Sequence, residues 1–132
     1  MEVKLKDIRF DPNNHIIKLC MNGMNLEETG NIEEAINIFK KAWEEAEDEY
    51  ERFITAYHLA RVQKSIEDKL KWMETSLQFA LKINDVNVKS AYSTLYLNIA
   101  KCYEILSDYD NARRNYELSE LYKDEHFDKG PF

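Results

Sequence analysis

The sequence predicts an all-α fold built from antiparallel helix pairs, and three observations predict it. The first is an internal repeat, which is sought before anything else because it sets the architecture. Residues 23–42 hold small residues at Gly23, Ala35 and Ala42, a turn signal at Gly30 and Asn31, and Phe39 between the last two small positions. Much of that spacing returns near the C-terminus, with Ala100 for Gly23, Ala112 for Ala35, Tyr116 for Phe39 and Ser119 for Ala42. The second is the scarcity of sheet-turn material, with three Gly and two Pro in 132 residues. The third is a series of helix-start residues, each followed by apolar positions at three- and four-residue spacing.

The elements follow in order. Residues 1–12 are expected to form an extended arm that docks by Ile8 and Phe10, because Val3 and Leu5 alternate with Lys4 and Lys6 before the phase shifts. Pro12, Asn13 and Asn14 signal a helix start, and a helix is expected from about residue 14 to 29 with Ile16, Leu19, Gly23 and Leu26 along one stripe. Gly30 should close it, and Asn31 with Glu34 reads as a capping box for a helix reaching about residue 46. A turn this short makes the two helices antiparallel, and their small residues are expected to let the backbones approach closely. Asp48 with Glu51 is a second capping box, opening a helix through about residue 64. Ser65 with Asp68 opens the next, to about residue 83, in a hairpin one residue longer than the others. Residues 84–87 break the pattern, and one longer helix is expected from there to about residue 106. Ser107 and Asp108 end it and cap a last helix, residues 109 to about 123. The tail, residues 124–132, lacks helical period and is expected to be irregular.

A chain of this length is one domain's worth and can bury a core without staples. Its 18 basic and 25 acidic residues give a net charge of −7, a field that repels phosphate backbones and anionic membranes. Neither nucleic acid nor membrane is therefore expected as a partner. Cys20 and Cys102 each sit within an apolar helical pattern and read as buried free thiols in a reducing cytoplasm. No signal core and no run of about 18 apolar residues is present. A cytoplasmic protein is the expectation.

Over residues 13–123 the chain resembles the tetratricopeptide repeat family, in the manner of a small three-repeat bacterial-type member. Leu19, Gly23, Leu26, Gly30, Ala35, Phe39 and Ala42 carry the resemblance in the first repeat, and Tyr96, Ala100, Tyr103, Ser107, Ala112, Tyr116 and Ser119 in the third. The middle copy is weaker, with Ala56, Ala60, Gln63, Met73, Leu77 and Ala80, and the family's proline after the second helix is missing from all three copies. The resemblance implies a right-handed superhelix of three antiparallel pairs, about six helices, with repeats near residues 14–47, 48–84 and 87–123 in a single domain. It also implies a concave groove lined by the first helix of each pair. Mapped position by position, that groove is apolar at Ile17, Cys20, Met21 and Met24. It turns polar with a cationic centre at Tyr57, His58, Arg61, Asn98 and Lys101. Those five residues are the candidate ligand site, for a peptide or acidic segment of a partner protein, with Ile17, Met21 and Met24 as a secondary apolar stretch. The competing reading is a set of solvated faces neutralising neighbouring acids. Some family members grip a chaperone's C-terminal carboxylate with Lys, Asn and Arg at defined groove positions. This chain has Cys20, Met24, His58, Thr94 and Asn98 there, so that clamp is not inherited.

No enzymatic activity, cofactor or metal is expected. The chain has no Gly-rich phosphate loop, no metal-spaced Cys/His cluster and no nucleophile elbow, and His15, His58 and His126 fall in different elements. Solenoids expose an apolar face at each end. Tyr109, Ala112, Tyr116, Leu118 and Leu121 of the last helix are expected to need covering by Phe127 and Phe132 of the tail, by the arm, or by a second copy of the chain. A self-assembling scaffold, a homo-oligomer through the C-terminal helix, is accordingly the alternative function.

Overall fold

The computed structural model describes residues 12–123, so the arm through residue 11 and the tail from residue 124, with His126, Phe127 and Phe132, lie outside the described residues. Among those described there are six helices of 13 to 16 residues and one single helical turn, with no strand. They are α1 (His15–Glu28), α2 (Ile32–Glu45), α3 (Glu49–Arg61), α4 (Ile66–Leu81), the turn α5 (Val86–Lys89), α6 (Tyr92–Ile105) and α7 (Tyr109–Lys123). α1 packs on α2, α3 on α4 and α6 on α7; the pairs join where α2 meets α3 and α4 meets α6. This is the expected all-helical repeat solenoid.

Local chemistry sets each boundary. Asn14 caps α1, its Oδ1 accepting the N–H groups of Ile16 at 2.8 Å and Ile17 at 3.1 Å. Its amide nitrogen donates to Glu51 Oε2 at 3.1 Å, tying the start of α1 to the start of α3. Asp48 Oδ1 accepts Glu51 N–H at 2.8 Å, which is half of the expected capping box. The return bond goes one residue further back than expected, from Glu47 N–H to Glu51 Oε1. Ser65 caps α4 through Asp68 N–H as expected.

α1 and α6 end alike. Gly30 has φ +86, with Asn31 N–H donating to Leu26 C=O at 2.8 Å and Gly30 N–H to Glu27 C=O at 3.1 Å, a Schellman closure. Ser107 occupies the equivalent left-handed position at φ 63, with Asp108 N–H on Tyr103 C=O and Ser107 N–H on Glu104 C=O. The box expected at Asn31 and Glu34 does not form. Asn31 is consumed by the closure of α1, takes φ −87 and ψ 66 rather than the extended cap conformation, and turns its amide onto Thr29 Oγ1.

The expected single long helix before residue 106 is instead α5 and α6, divided at Ser90 and Ala91. Asp85 Oδ1 accepts Asn87 N–H, Ser90 Oγ donates to Asn87 C=O at 2.7 Å, and Ala91 N–H reaches only to Val88 C=O. These short side-chain and i−3 bonds compete with the helical ladder and pinch it. The break turns Val88 and Ala91 into the core.

Gly23 serves helix packing in a way the sequence did not specify. A Cβ there would lie 2.4 Å from Phe39 Cε1, so the fully buried Phe39 ring, not a backbone, fills the space. Elsewhere along the α6–α7 pair, Ser93 Oγ donates to Ser119 C=O and Ser119 Oγ to Ser93 C=O, both at 2.9 Å. α3 lies centrally, with eight buried residues from Tyr50 to Ala60, and a helix buried nearly all round has little amphipathic stripe. Its buried hydroxyl Thr55 donates to Glu51 C=O, and Ser76 of α4 donates to Phe53 C=O.

The outward face of α7 mixes apolar and charged residues. In α2, Ile36 and Trp43 pack towards the next pair, Trp43 meeting Trp72 and Phe79 edge-on at 5.1 and 6.2 Å. The equivalent positions of α7 are Arg113 and Glu120, both exposed. Tyr109 and Leu121 are exposed as well, at 64% and 57%, while Ala112 is buried and Leu118 packs on the core. Arg113 and Glu120 place charge where the inner repeat carries apolar surface, beside a groove that stays apolar at Tyr109, Ala112 and Tyr116.

Candidate functional site

The last turn of α3 and the second half of α6 bring the candidate residues together unequally. His58 is only 7% exposed. Its ring stacks on Phe39 with centroids 5.1 Å apart and planes 9° from parallel, and Tyr57 meets it edge-on. Burial, and secondarily the Arg61 charge, lowers its pKa to about 4, so it is neutral near pH 7. Arg61 Nη1 donates to His58 Nδ1 at 3.3 Å, which leaves the ring proton on Nε2. His58 is therefore a core residue that helps hold Arg61 and not a cation facing a ligand.

Arg61 is held from a second side by Glu27 of α1, Nη2 to Oε2 at 3.1 Å, a partly exposed bridge between the first helices of two repeats. Tyr57 lies half-buried beside the same pair; burial raises its phenol pKa, Arg61 opposes the shift and Glu27 adds to it. Arg61, Asn98 and Lys101 share the rim of one pocket of about 210 Å³. Among the described residues neither Asn98 nor Lys101 has a hydrogen-bond or ion-pair partner.

Lys69 of α4 completes that rim. Sequence reasoning missed it by admitting only the first helix of each pair to the groove. The signal was the cap at Ser65, which fixes Lys69 one turn into α4 beside the closing carbonyls of α3, where its Nζ lies 3.5 Å from Arg61 C=O. Ile66, Met73, Cys102 and Ile105 line the remainder, and burial pushes the Cys102 thiol pKa up. The pocket combines three cations and an amide with an apolar floor, which suits an oxyanion joined to an apolar group.

The apolar stretch on α1 is exposed at Met21 and Met24, at 50% and 39%, with Ile17 half-buried against the core. Cys20, mapped to the same groove, lies beneath its surface, as does Ile54 of α3, and burial raises the Cys20 thiol pKa to about 12. Glu104 faces α7, accepting the Tyr116 hydroxyl at 2.6 Å. Both cysteines are free. His15 Nε2 pairs with Glu45 Oε1 at 2.6 Å, far from His58 in the chain. Among the described residues no group of three or more His, Cys, Asp or Glu is placed to hold a metal ion, and no helix is long and apolar enough to cross a membrane.

Residues 19–49 and 93–125 each match the family model of the tetratricopeptide repeat, covering most of the first helix pair and the last. No curated protein and no solved structure matches the chain significantly. The middle pair, α3 and α4, departs most from the repeat pattern, yet it packs between the matched pairs as a third pair of the same kind. Two matched repeats flanking a third helix pair in one all-helical stack support a tetratricopeptide repeat protein.

Proposed function

We propose that this protein is a non-catalytic interaction module that takes a peptide or acidic segment of a partner protein along its groove, with the acidic group in the pocket between α3, α4 and α6. Tetratricopeptide repeats generally mediate protein–protein interaction. The observation that carries the finer reading is the convergence of Arg61, Lys69, Asn98 and Lys101 on one pocket in a chain of net charge −7. Against an acidic background, a local cationic site selects an anionic ligand by contrast. Glu27 and His58 orient the Arg61 fork, and Lys101 is free to engage. Met21, Met24 and Ile17 offer an adaptable apolar surface to the rest of the segment. The repeats, near residues 14–47, 48–84 and 87–123, act as one unit in this reading, and the free thiols Cys20 and Cys102 suit a cytoplasmic setting.

The test is the double variant Arg61→Ala with Lys101→Ala in affinity capture of partners from native extract. Capture should be lost while helicity holds and melting falls only modestly, because the Arg61–Glu27 bridge is partly exposed and worth roughly 0–1 kcal/mol and the donor lost to His58 Nδ1 adds about 1 kcal/mol. Capture that survives both changes removes the pocket from the account. A second reading, self-assembly through the C-terminal helix, is favoured by the exposure of Tyr109 and Leu121, and opposed by Arg113 and Glu120 on that face. A strict monomer by light scattering at high concentration would end it.

A further inference from the structure

At the junction inside the stack, α3 packs against the first helix pair through specific contacts. Arg61 bridges to Glu27 of α1 at 3.1 Å, and the Glu27 side chain is left 19% exposed. Arg52 lies over the Trp43 ring of α2, 5.6 Å from its centroid. Between these two contacts Leu59 and Val62 pack in one cluster with Ala35 and Phe39, and His58 stacks on Phe39. Arg52 and Arg61 are nine positions apart, about two and a half helical turns, so they flank the apolar contact face of α3 on opposite sides.

The last pair, α6 and α7, repeats that groove at the end of the stack. Glu104 stands four residues after Ala100, as Glu27 does after Gly23; Ala112 and Tyr116 match Ala35 and Phe39, and Glu120 matches Trp43. The groove measures about 510 Å³, with Tyr109, Ala112 and Tyr116 as its apolar wall. α7 is the last described helix, and Glu104 is exposed, although it accepts the Tyr116 hydroxyl at 2.6 Å. Charge distinguishes this groove from the inner one. Glu104, Glu117 and Glu120 line it with one cation, Arg113. Asp110 pairs with Arg113 at 3.5 Å and Lys123 with Glu120 at 3.8 Å, so with these neighbours the groove has four carboxylates against two cations.

We infer that this outer groove docks an amphipathic helix of a partner protein that carries two basic residues nine positions apart, one on Glu104 and one on Glu120, with an apolar residue between them on Ala112 and Tyr116. The first contact repeats Arg61 on Glu27. The second sets a cation where Arg52 meets Trp43, with a carboxylate in place of the ring. Apolar burial supplies the hydrophobic contribution, and the acids choose a basic helix over a neutral or acidic one. Other occupants bring the wrong charge. Residues 124–132 hold Asp124, Glu125 and Asp128 against Lys129, and a second copy of the chain brings the same acidic excess. The groove is separate from the pocket between α3, α4 and α6 and takes a ligand of opposite sign.

The test titrates the full chain, ¹⁵N-labelled, with an alanine-based helical peptide carrying Arg, Leu and Arg at the spacing of Arg52, Leu59 and Arg61. Amide shifts should concentrate at Glu104, Ala112, Tyr116 and Glu120. Glutamate in place of both peptide arginines should weaken binding about tenfold or more. Glu104→Arg and Glu120→Arg should each weaken the parent peptide by a similar factor, and the peptide with the one matching arginine changed to glutamate should recover the loss. Glu104→Arg also removes the bond to Tyr116, so Glu120→Arg, at an exposed position, carries the test if the first variant fails to fold. Equal binding of the acidic peptide, no recovery on exchanging the charges, or shifts confined to other helices would overturn the inference. A tenfold gain in affinity with Phe127→Ala and Phe132→Ala, or with Ile8→Ala and Phe10→Ala, would put one of the chain's own ends in the groove and overturn it. Shifts at the same amides on concentrating the chain alone would overturn it in favour of a second copy.

Discussion

His58 shows how a single side chain can be chemically conspicuous and functionally indirect. Its ring fills space between Phe39 and Tyr57, and its Nδ1 accepts from Arg61, so what it contributes is the direction of the guanidinium. Its folded pKa of about 4 lies below the ordinary 6.5, which means that the unfolded chain binds a proton the native one refuses. The resulting stability is complete above pH 6.5 and is lost as pH falls through about 4. The gap of about 2.5 units sets a ceiling of roughly 3.5 kcal/mol at about 1.4 kcal/mol per unit. His58→Phe keeps the stack on Phe39 and removes the titration. Urea unfolding at pH 7 and pH 4 should therefore show the natural chain losing up to that much more stability than the variant, and parallel losses would contradict the burial of a neutral imidazole. From sequence alone His58 and Arg61 read as two members of one cationic patch. Their exposures separate them, and exposure depends on Phe39, a residue nineteen positions away on another helix.

At the scale of the elements, the two outer hairpins use one closing device with different residues. Gly30 adopts its left-handed conformation at no steric cost, whereas Ser107 adopts φ 63 against the clash of its own Cβ. Ser107→Gly should raise stability by about 0.5–1 kcal/mol, read as a higher urea midpoint with an unchanged m-value. A loss of stability would mean that the serine side chain contributes something the closure geometry does not show. Most helix ends were legible in the sequence because caps are local: Asn14, Asp48, Ser65 and Gly30 each act within four residues. The two misjudged ends share a cause. Asn31 and Ser90 each had two local hydrogen-bonding choices, and the choice was decided by the closure of the preceding helix in one case and by the burial of Val88 and Ala91 in the other. The middle pair was hardest to recognise because α3 is buried on nearly every side and so carries no strong stripe.

For the whole molecule, the repeat sets the stack and its departures from repetition set the surfaces. Ile36 and Trp43 of α2 become Arg113 and Glu120 on α7, which turns a packing face into a water-facing one. The middle and last pairs replace apolar groove positions with Arg61, Asn98 and Lys101, and α4 adds Lys69 from the second layer. The first three of those were legible from helical position in the repeat. Lys69 was overlooked because only the first helix of each pair was admitted to the groove, although the Ser65 cap sets it beside the end of α3. In the proposed reading this cationic pocket, and not the acidic surface around it, selects the ligand. The most direct measurement is selection of displayed random heptapeptides with free C-termini on the natural chain and on Arg61→Ala with Lys101→Ala. Sequences rich in acidic groups are expected on the natural chain, with no such enrichment on the double variant. Enrichment that is neutral or basic, or the same on both proteins, would contradict it.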